Sequence, residues 1–278
     1  MKNATGNPVR IVTGRKWTTL TFAGAAVGMA VVGAAAQGVA DAGPEVLWLA
    51  QAATTEGGEG GETGAALAEA DETVDILVRL SKIDAHILTG LDLVAAGRTD
   101  AALAQFDTTK VEIYKSVEAT LKAHGAPAFD DALVGLSDAA KAGKSLADLQ
   151  AAHTAVRAGL DAARTTIAPS AKDELAAVLA LSREAAEDFA VGVTDGAIAE
   201  LGEYQDARAY LLAARETLTR LSASDDAVVK KAAEKSAEAL DGVIAALPDV
   251  APEGIITADA GLILAAAAKV ELALYPVK

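Results

Sequence analysis

The chain has no cysteine and very few aromatic residues, and each shortage narrows what the protein can be. Without cysteine there are no disulfides, no thiolate metal ligands and no cysteine nucleophiles. Aromatic residues make up only 4% of the chain, whereas 52% of it is hydrophobic, mainly Ala, Leu and Val. A β-sheet core favours aromatic and β-branched residues, and Ala is the best helix former. The composition therefore predicts an all-α fold.

Sequence motifs of the common enzyme classes are also missing. The chain contains no nucleophile elbow, phosphate-binding P-loop, dinucleotide-binding glycine pattern, HExxH zinc motif or c-type haem attachment site. We therefore predict that the protein is not an enzyme.

Positive charge is scarce outside the N-terminal region. The chain has 24 Lys and Arg against 39 Asp and Glu, a net charge of −15. Four of the 24 basic residues and none of the acidic ones lie in residues 1–36, so the remainder carries 20 basic and 39 acidic residues, a net charge of −19. Such a body repels phosphate backbones, so we predict no nucleic-acid partner. It attracts cations or a basic protein surface, although acidic residues also keep an Ala-rich protein soluble.

Residues 1–40 have the pattern of a signal peptide or a transmembrane anchor. Residues 1–16 carry only positive charges, and residues 17–40 carry no charge. A basic stretch before an apolar one stays cytoplasmic while the following chain is translocated. Two outcomes stay open, because the small residues at 34–36 and 50–52 fit signal-peptidase cleavage, whereas 24 uncharged residues also suffice to span a bilayer. We expect a periplasmic or otherwise exported protein, tethered to the inner membrane if the segment is retained.

The chain beyond residue 40 divides into a linker and a helical body. We predict a flexible acidic linker over residues 41–64, because its EGGEGGETG stretch alternates Glu with Gly pairs and buries nothing. From residue 65 apolar residues recur every three or four positions, and no strand pattern appears. The predicted helices cover 65–97, 99–124 with a break near Asp107, 130–142, 146–167, 171–190, 195–221, 225–246 and 257–273.

The helical body contains an internal repeat. GRTDAALAQF, which begins at Gly97, matches GVTDGAIAEL 95 residues later, and FDDALV, which begins at Phe129, matches SDDAVV at the same offset. Two ungapped matches in register indicate a tandem duplication. We predict two bundles of about four helices each, over residues 65–168 and 169–278, joined at Pro169.

Residues kept by both copies lie where predicted helices begin or end, and we interpret them as helix caps. Glycine at a helix end adopts the left-handed conformation, and Thr or Asp accepts hydrogen bonds from the first backbone N–H groups. The repeated residues are Gly97 and Gly192, Thr99 and Thr194, Asp100 and Asp195, and Asp130-Asp131 and Asp225-Asp226.

The stretch EYQDARAY, residues 203–210, departs from the repeat, because Asp206 and Arg208 have no counterparts in the first copy. Glu203 and Asp206 are three residues apart on a predicted helix, and carboxylates are hard oxygen ligands for metal cations. We therefore predict Glu203 and Asp206 as metal ligands, with an internal ion-pair network as the alternative. Arg208 falls beside an apolar stripe and therefore needs a carboxylate partner or an anionic ligand. The further polar members of this predicted site are Tyr204, Arg208 and Tyr210.

Histidine is the other residue type that binds metals, and the chain has three. His124 and His153 have no ligand-like neighbours in the sequence. His86 lies among apolar residues on the first long helix, where an imidazole is either a hydrogen-bonded core residue or a ligand. We include His86 among the predicted metal ligands.

The segment VGVTDGAIAELGEYQDARAYLLAARETL resembles exported helical domains found with bacterial high-affinity iron permeases, in which an acidic-glycine pair precedes EYxE or EYxD. The tandem helical arrangement is similar to imelysin-like iron-uptake proteins, whose two four-helix bundles flank a site marked by GxHxxE. In the nearest match here His86 fits, Asp84 replaces the glycine and Thr89 replaces the glutamate.

These resemblances imply an exported helical protein that binds iron or another metal cation in an uptake or transfer system, with a permease as its partner. The alternative is a structural or accessory subunit anchored to a membrane protein complex through residues 17–40.

Overall fold

The computed structural model describes residues 72–247 and 249–277, apart from the side chains of Lys110 and Val111. The predicted signal or anchor over residues 1–40 and the predicted linker over residues 41–64 lie outside this described part. Within it, no helix is both long enough and apolar enough to cross a bilayer.

The described chain is almost entirely helical, which confirms the predicted all-α fold. The helices are α1 Glu72–Ala95, α2 Thr99–Thr108, α3 Lys115–Ala123, α4 Asp130–Lys141, α5 Leu146–Ile167, α6 Ala171–Gly192, α7 Leu201–Leu221, α8 Ala227–Ile244 and α9 Ala260–Leu274. The segment Thr109–Tyr114 is π-helical and joins α2 to α3 in one continuous helical stretch, close to the break predicted near Asp107.

The helices form two bundles, each around its own hydrophobic core. Helices α1 to α5 surround the first core, whose largest buried side chains include Phe106, Tyr114 and Leu136. Helices α6 to α9 surround the second core, which includes Phe189 and Tyr204. Alanine is frequent in the second core, and its small side chain lets helices approach closely. The prediction of a duplicated helical bundle is confirmed.

Helix α1 belongs to the first bundle and also packs on the second. Ile76 and Leu80 lie in the first core, whereas Leu77 and Ala85 lie in the second. A helix that is apolar on two faces is buried between its neighbours rather than on a surface. The polar side chains of α1 are therefore brought against α6 and α7 at the junction of the two bundles.

A short β-hairpin connects α6 to α7, where the sequence analysis predicted a helix from residue 195. Strand β1, Val193–Thr194, pairs antiparallel with β2, Ala197–Ile198. The two turn residues, Asp195 and Gly196, have φ angles of 53° and 75°. An Asp-Gly pair with positive φ at both positions is the favoured two-residue hairpin turn. The predicted helix start is therefore wrong, and α7 begins at Leu201.

The interpretation of the repeated residues as caps is correct at some positions and wrong at others. Gly97, with φ of 72°, ends α1 in the left-handed conformation. Asp226 caps α8 by accepting hydrogen bonds from two backbone N–H groups. In contrast, Thr194 and Asp195 belong to the hairpin. Gly192 ends α6 at a point where another helix approaches closely, and its φ is not positive.

The close approach at Gly192 predicts that this position does not tolerate a side chain. A Cβ atom there would lie 2.5 Å from the backbone nitrogen of Tyr204 and 2.9 Å from its Cα. Since these are backbone atoms, the start of α7 would have to move away from α6. We expect Gly192→Ala to lower the free energy of unfolding by about 1–3 kcal/mol, measured by chemical denaturation.

Gly242→Ala on α8 is the matched control for this substitution. A Cβ at Gly242 meets no described atom within 4 Å. Alanine is also the better helix former, so the free energy of unfolding should stay the same or rise by up to about 1 kcal/mol. Equal losses in the two variants would contradict the packing argument.

Candidate functional site

Three helices bring charged and polar side chains together where the bundles meet. Helices α1, α6 and α7 each contribute a pair spaced four residues apart, and this spacing places both members on one face of a helix. Glu203 lies one turn before Asp206 on α7. Its charge contributes to the raised pKa values of Asp188 and Tyr210. We call this set the interbundle cluster: Lys82 and His86 on α1, Glu184 and Asp188 on α6, and Glu203, Asp206 and Tyr210 on α7.

His86 links the two bundles through both of its ring nitrogens. Its Nδ1 lies 2.6 Å from Oε1 of Gln105 on α2 and 3.5 Å from Oδ1 of Asp206. Its Nε2 lies 3.2 Å from the hydroxyl oxygen of Tyr210. The imidazole is only 4% exposed, so it is a buried and hydrogen-bonded residue. It is also in contact with an acidic side chain predicted to bind a metal.

Lys82 places a positive charge inside the cluster. Its ammonium group forms an ion pair with Glu184 and lies 4.8 Å from the ring centroid of Tyr210. A cation at this distance over an aromatic face is attracted by the ring quadrupole. The Lys82 side chain is 14% exposed, so much of its stem is buried between the helices.

Burial and the negative charge of the cluster change the acidity of two of its members. Burial raises the pKa of Asp188 to about 8, and the neighbouring Glu184 and Asp206 carboxylates add to the rise, while the Lys82 ammonium opposes it. Asp188 therefore holds its proton at neutral pH. Burial and the same carboxylates also raise the pKa of Tyr210 well above its ordinary value.

Residues 168–274 match the family model of the iron permease-associated 4-helix bundle domain. The matched residues include α6 to α9, the helices of the second bundle. This match supports the resemblance to helical domains found with iron permeases, whereas the resemblance to imelysin-like proteins stays a prediction. No curated protein and no solved structure matches the chain.

The residues that match the family model contribute both predicted carboxylate ligands, and α1 contributes the predicted histidine. His86 and Asp206 are in contact, and Glu203 lies near enough to act on Asp188. In the part of the chain that the structure describes, no group of three or more His, Asp or Glu side chains is arranged to hold a metal ion. Metal binding by these three residues stays a prediction.

The other predicted polar residues of EYQDARAY do not converge on one point. Tyr210 joins the cluster, but the Tyr204 hydroxyl donates a hydrogen bond to the backbone carbonyl of Asp249, 3.2 Å away. Burial raises the pKa of Tyr204 to about 12. Arg208 lies 3.5 Å from the Asp92 carboxylate at the end of α1, so it has the carboxylate partner that the sequence requires.

A second polar network crosses the bundle junction on another side of α1. Nε2 of His153, on α5, lies 2.6 Å from Oδ1 of Asp84, and both residues are buried. Arg157 lies 3.7 Å from the other Asp84 oxygen and also pairs with Glu216 on α7. Asp84 stands at the glycine position of the GxHxxE pattern. Its role here is therefore structural, because its carboxylate is hydrogen-bonded to a buried histidine.

Sequence reasoning missed three members of the cluster and the role of His153. Glu184 and Asp188 carry a usable signal, because two acidic residues four apart project from one face of α6. Lys82 has the same spacing to His86 on α1. His153 carries no such local signal, since its partner Asp84 is 69 residues away in the chain.

Proposed function

We propose that this protein is an exported, non-enzymatic accessory component of an iron uptake system, and that the interbundle cluster binds the iron cation. The match of residues 168–274 to the family model of the iron permease-associated domain supports a role in an iron uptake system. The observation that carries the binding role is the gathering of four acidic side chains, those of Glu184, Asp188, Glu203 and Asp206, at one partly buried junction, with His86 in contact with Asp206. Carboxylate oxygens and imidazole are ligands that suit iron.

The electrostatics of the cluster favour a bound cation. Carboxylates removed from water need a positive partner or must take up a proton. After burial, the Glu184 and Asp206 carboxylates contribute to the raised pKa of Asp188, and Lys82 opposes them. Besides the Asp188 carboxyl, the cluster holds three acidic side chains and one ammonium group, and a cation would be drawn to it.

Calorimetry on the full chain tests this proposal. We expect saturable binding of Fe²⁺ under anaerobic conditions, and iron in the natively purified protein by metal analysis. The double substitution Glu184→Gln and Asp206→Asn should weaken binding by at least about tenfold, because it removes two carboxylate ligands. Glu238→Gln, an exposed position on α8, is the control and should leave the affinity unchanged. Absence of saturable binding by the wild-type chain would contradict the proposed cargo.

Export and association with a membrane permease belong to the same proposal. Residues 17–40 would tether the protein to the membrane if they are retained, with the N terminus cytoplasmic. The intact mass of the native protein reports whether this segment is cleaved. Extraction without detergent as a species that migrates alone would contradict a tethered complex.

A purely structural accessory role is the second candidate, and the ion pairs across the junction favour it. Lys82 pairs with Glu184, and Arg157 pairs with Glu216, each joining one bundle to the other. In this role the cluster holds the bundles together and binds no cargo. Substituting these residues would then lower stability while the chain binds no metal in calorimetry.

A further inference from the structure

We infer that the Lys82 ammonium group occupies the cation position of the interbundle cluster and competes with the metal cargo for it. This inference rests on the proposed function and concerns the regulation of the same site. Lys82 would set the affinity for the cargo and favour its release.

The contacts of Lys82 show that the cluster accommodates a positive charge. The ammonium group is paired with the Glu184 carboxylate and lies over the face of the Tyr210 ring. One cation thus contacts a side chain on α6 and another on α7, the two helices of the second bundle that pack on α1.

Two of the potential ligands are held by other side chains of the protein in this arrangement. Among the described residues no three His, Asp or Glu side chains are placed to hold a metal ion. Glu184 is directed to Lys82, and His86 is held by Gln105 and Tyr210. A metal ion that binds Oε1 of Glu184 would therefore compete with the ammonium group for that oxygen.

Lysine is suited to such an exchange. Its ammonium group is a point charge on a flexible stem, and it has no fixed planar geometry that locks it to a carboxylate. The side chains of Lys82 and Glu184 are 14% and 21% exposed, so this edge of the cluster reaches solvent. The ammonium group can leave the cluster for water while its stem stays between the helices.

The test compares metal affinities of the full chain and its Lys82 variants, purified in a mild detergent. Lys82→Met keeps the length of the stem and removes the charge. We expect it to bind Fe²⁺, and Mn²⁺ as a redox-stable probe, about 10- to 100-fold more tightly than the wild type, because a competing charge a few ångströms away is gone. Lys82→Arg keeps the charge and should bind no more tightly than the wild type.

Two controls distinguish the loss of the charge at position 82 from the loss of a lysine elsewhere and from unfolding. Lys115→Met removes an exposed lysine of the first bundle and should leave the metal affinity unchanged. Circular dichroism and thermal unfolding report whether Lys82→Met is folded, and Lys82→Gln provides a second neutral variant if it is not.

The outcomes distinguish the inference from the proposed function. Tighter binding by Lys82→Met than by a wild type that binds supports both. Equal or weaker binding by a folded neutral variant, when the wild type binds, overturns the inference alone. Binding by Lys82→Met and none by the wild type supports the competition and contradicts the wild-type cargo role. Binding by neither overturns both.

Discussion

Asp188→Asn should raise the free energy of unfolding at pH 8 by about 3–5 kcal/mol, and by almost nothing at pH 4. In the folded protein burial and the neighbouring carboxylates raise the pKa of Asp188 from 3.8 to about 8. Each unit of difference between the folded and unfolded pKa corresponds to about 1.4 kcal/mol. Asparagine resembles the neutral carboxyl group in shape and never has to lose a proton.

The sign of the pH dependence follows from proton binding in the two states. Well below pH 3.8 Asp188 is protonated in both the folded and the unfolded chain, so it contributes no penalty. Between pH 4 and pH 8 unfolding releases its proton, and the folded state therefore loses stability as the pH rises. Above pH 8 the carboxyl is ionised in both states and the loss is complete. The difference in the free energy of unfolding between Asp188→Asn and the wild type should therefore increase from about pH 4 to pH 8 and stay constant above pH 8.

Urea denaturation of the full chain at several pH values measures this difference. Other titratable groups face Asp188, and their contributions largely cancel when the variant is compared with the wild type at each pH. They are Glu184, Glu203, Asp206, Tyr210 and Lys82. Asp138→Asn, at an exposed position on α4, is the control and should give a profile parallel to that of the wild type. A parallel profile for Asp188→Asn as well would contradict the burial argument.

The helices were predictable because the signals that form them are local. Helix α5 begins and ends where apolar periodicity and the connection before Pro169 place its ends, and a capping box at Ser145 and Asp148 fixes its start. The hairpin between α6 and α7 was missed although its Asp-Gly turn is a known signal. Apolar residues recur at helical spacing on both sides of this turn, and the hairpin has only two residues in each strand, so the prediction extended the following helix across it.

The candidate site was predictable only in part, because its members come from distant parts of the chain. His86 and Tyr210 are hydrogen-bonded across 124 positions. No periodicity shows which face of α1 meets which face of α7 until the helices are packed. The departure of EYQDARAY from the repeat drew attention to Asp206, which lies in the cluster beside His86, and its role as a metal ligand stays a prediction. It could not show that Tyr204 and Arg208 turn to other partners.

Asp84→Ala is expected to lower the free energy of unfolding by about 2–4 kcal/mol, because it leaves a buried polar group without its hydrogen-bond partner and takes a carboxylate from the Arg157 guanidinium. The substitution leaves the buried imidazole of His153 without the carboxylate that now lies 2.6 Å from its Nε2. It also removes one of the two acidic partners of Arg157. Chemical denaturation measures the loss. Glu118→Ala, which removes the exposed partner of Lys115, should lower the free energy by less than about 1 kcal/mol.

A double-mutant cycle distinguishes the interaction between Asp84 and His153 from the packing of their side chains. If Asp84 stabilises the junction through His153, the double substitution Asp84→Ala and His153→Ala should cost less than the sum of the two single substitutions, because the second change removes a group that the first leaves unpaired. We expect a coupling free energy of about 1–3 kcal/mol. Additive losses would show instead that each side chain acts through packing alone. The junction of the bundles would then depend on its apolar contacts and on the ion pairs of Lys82 and Arg157.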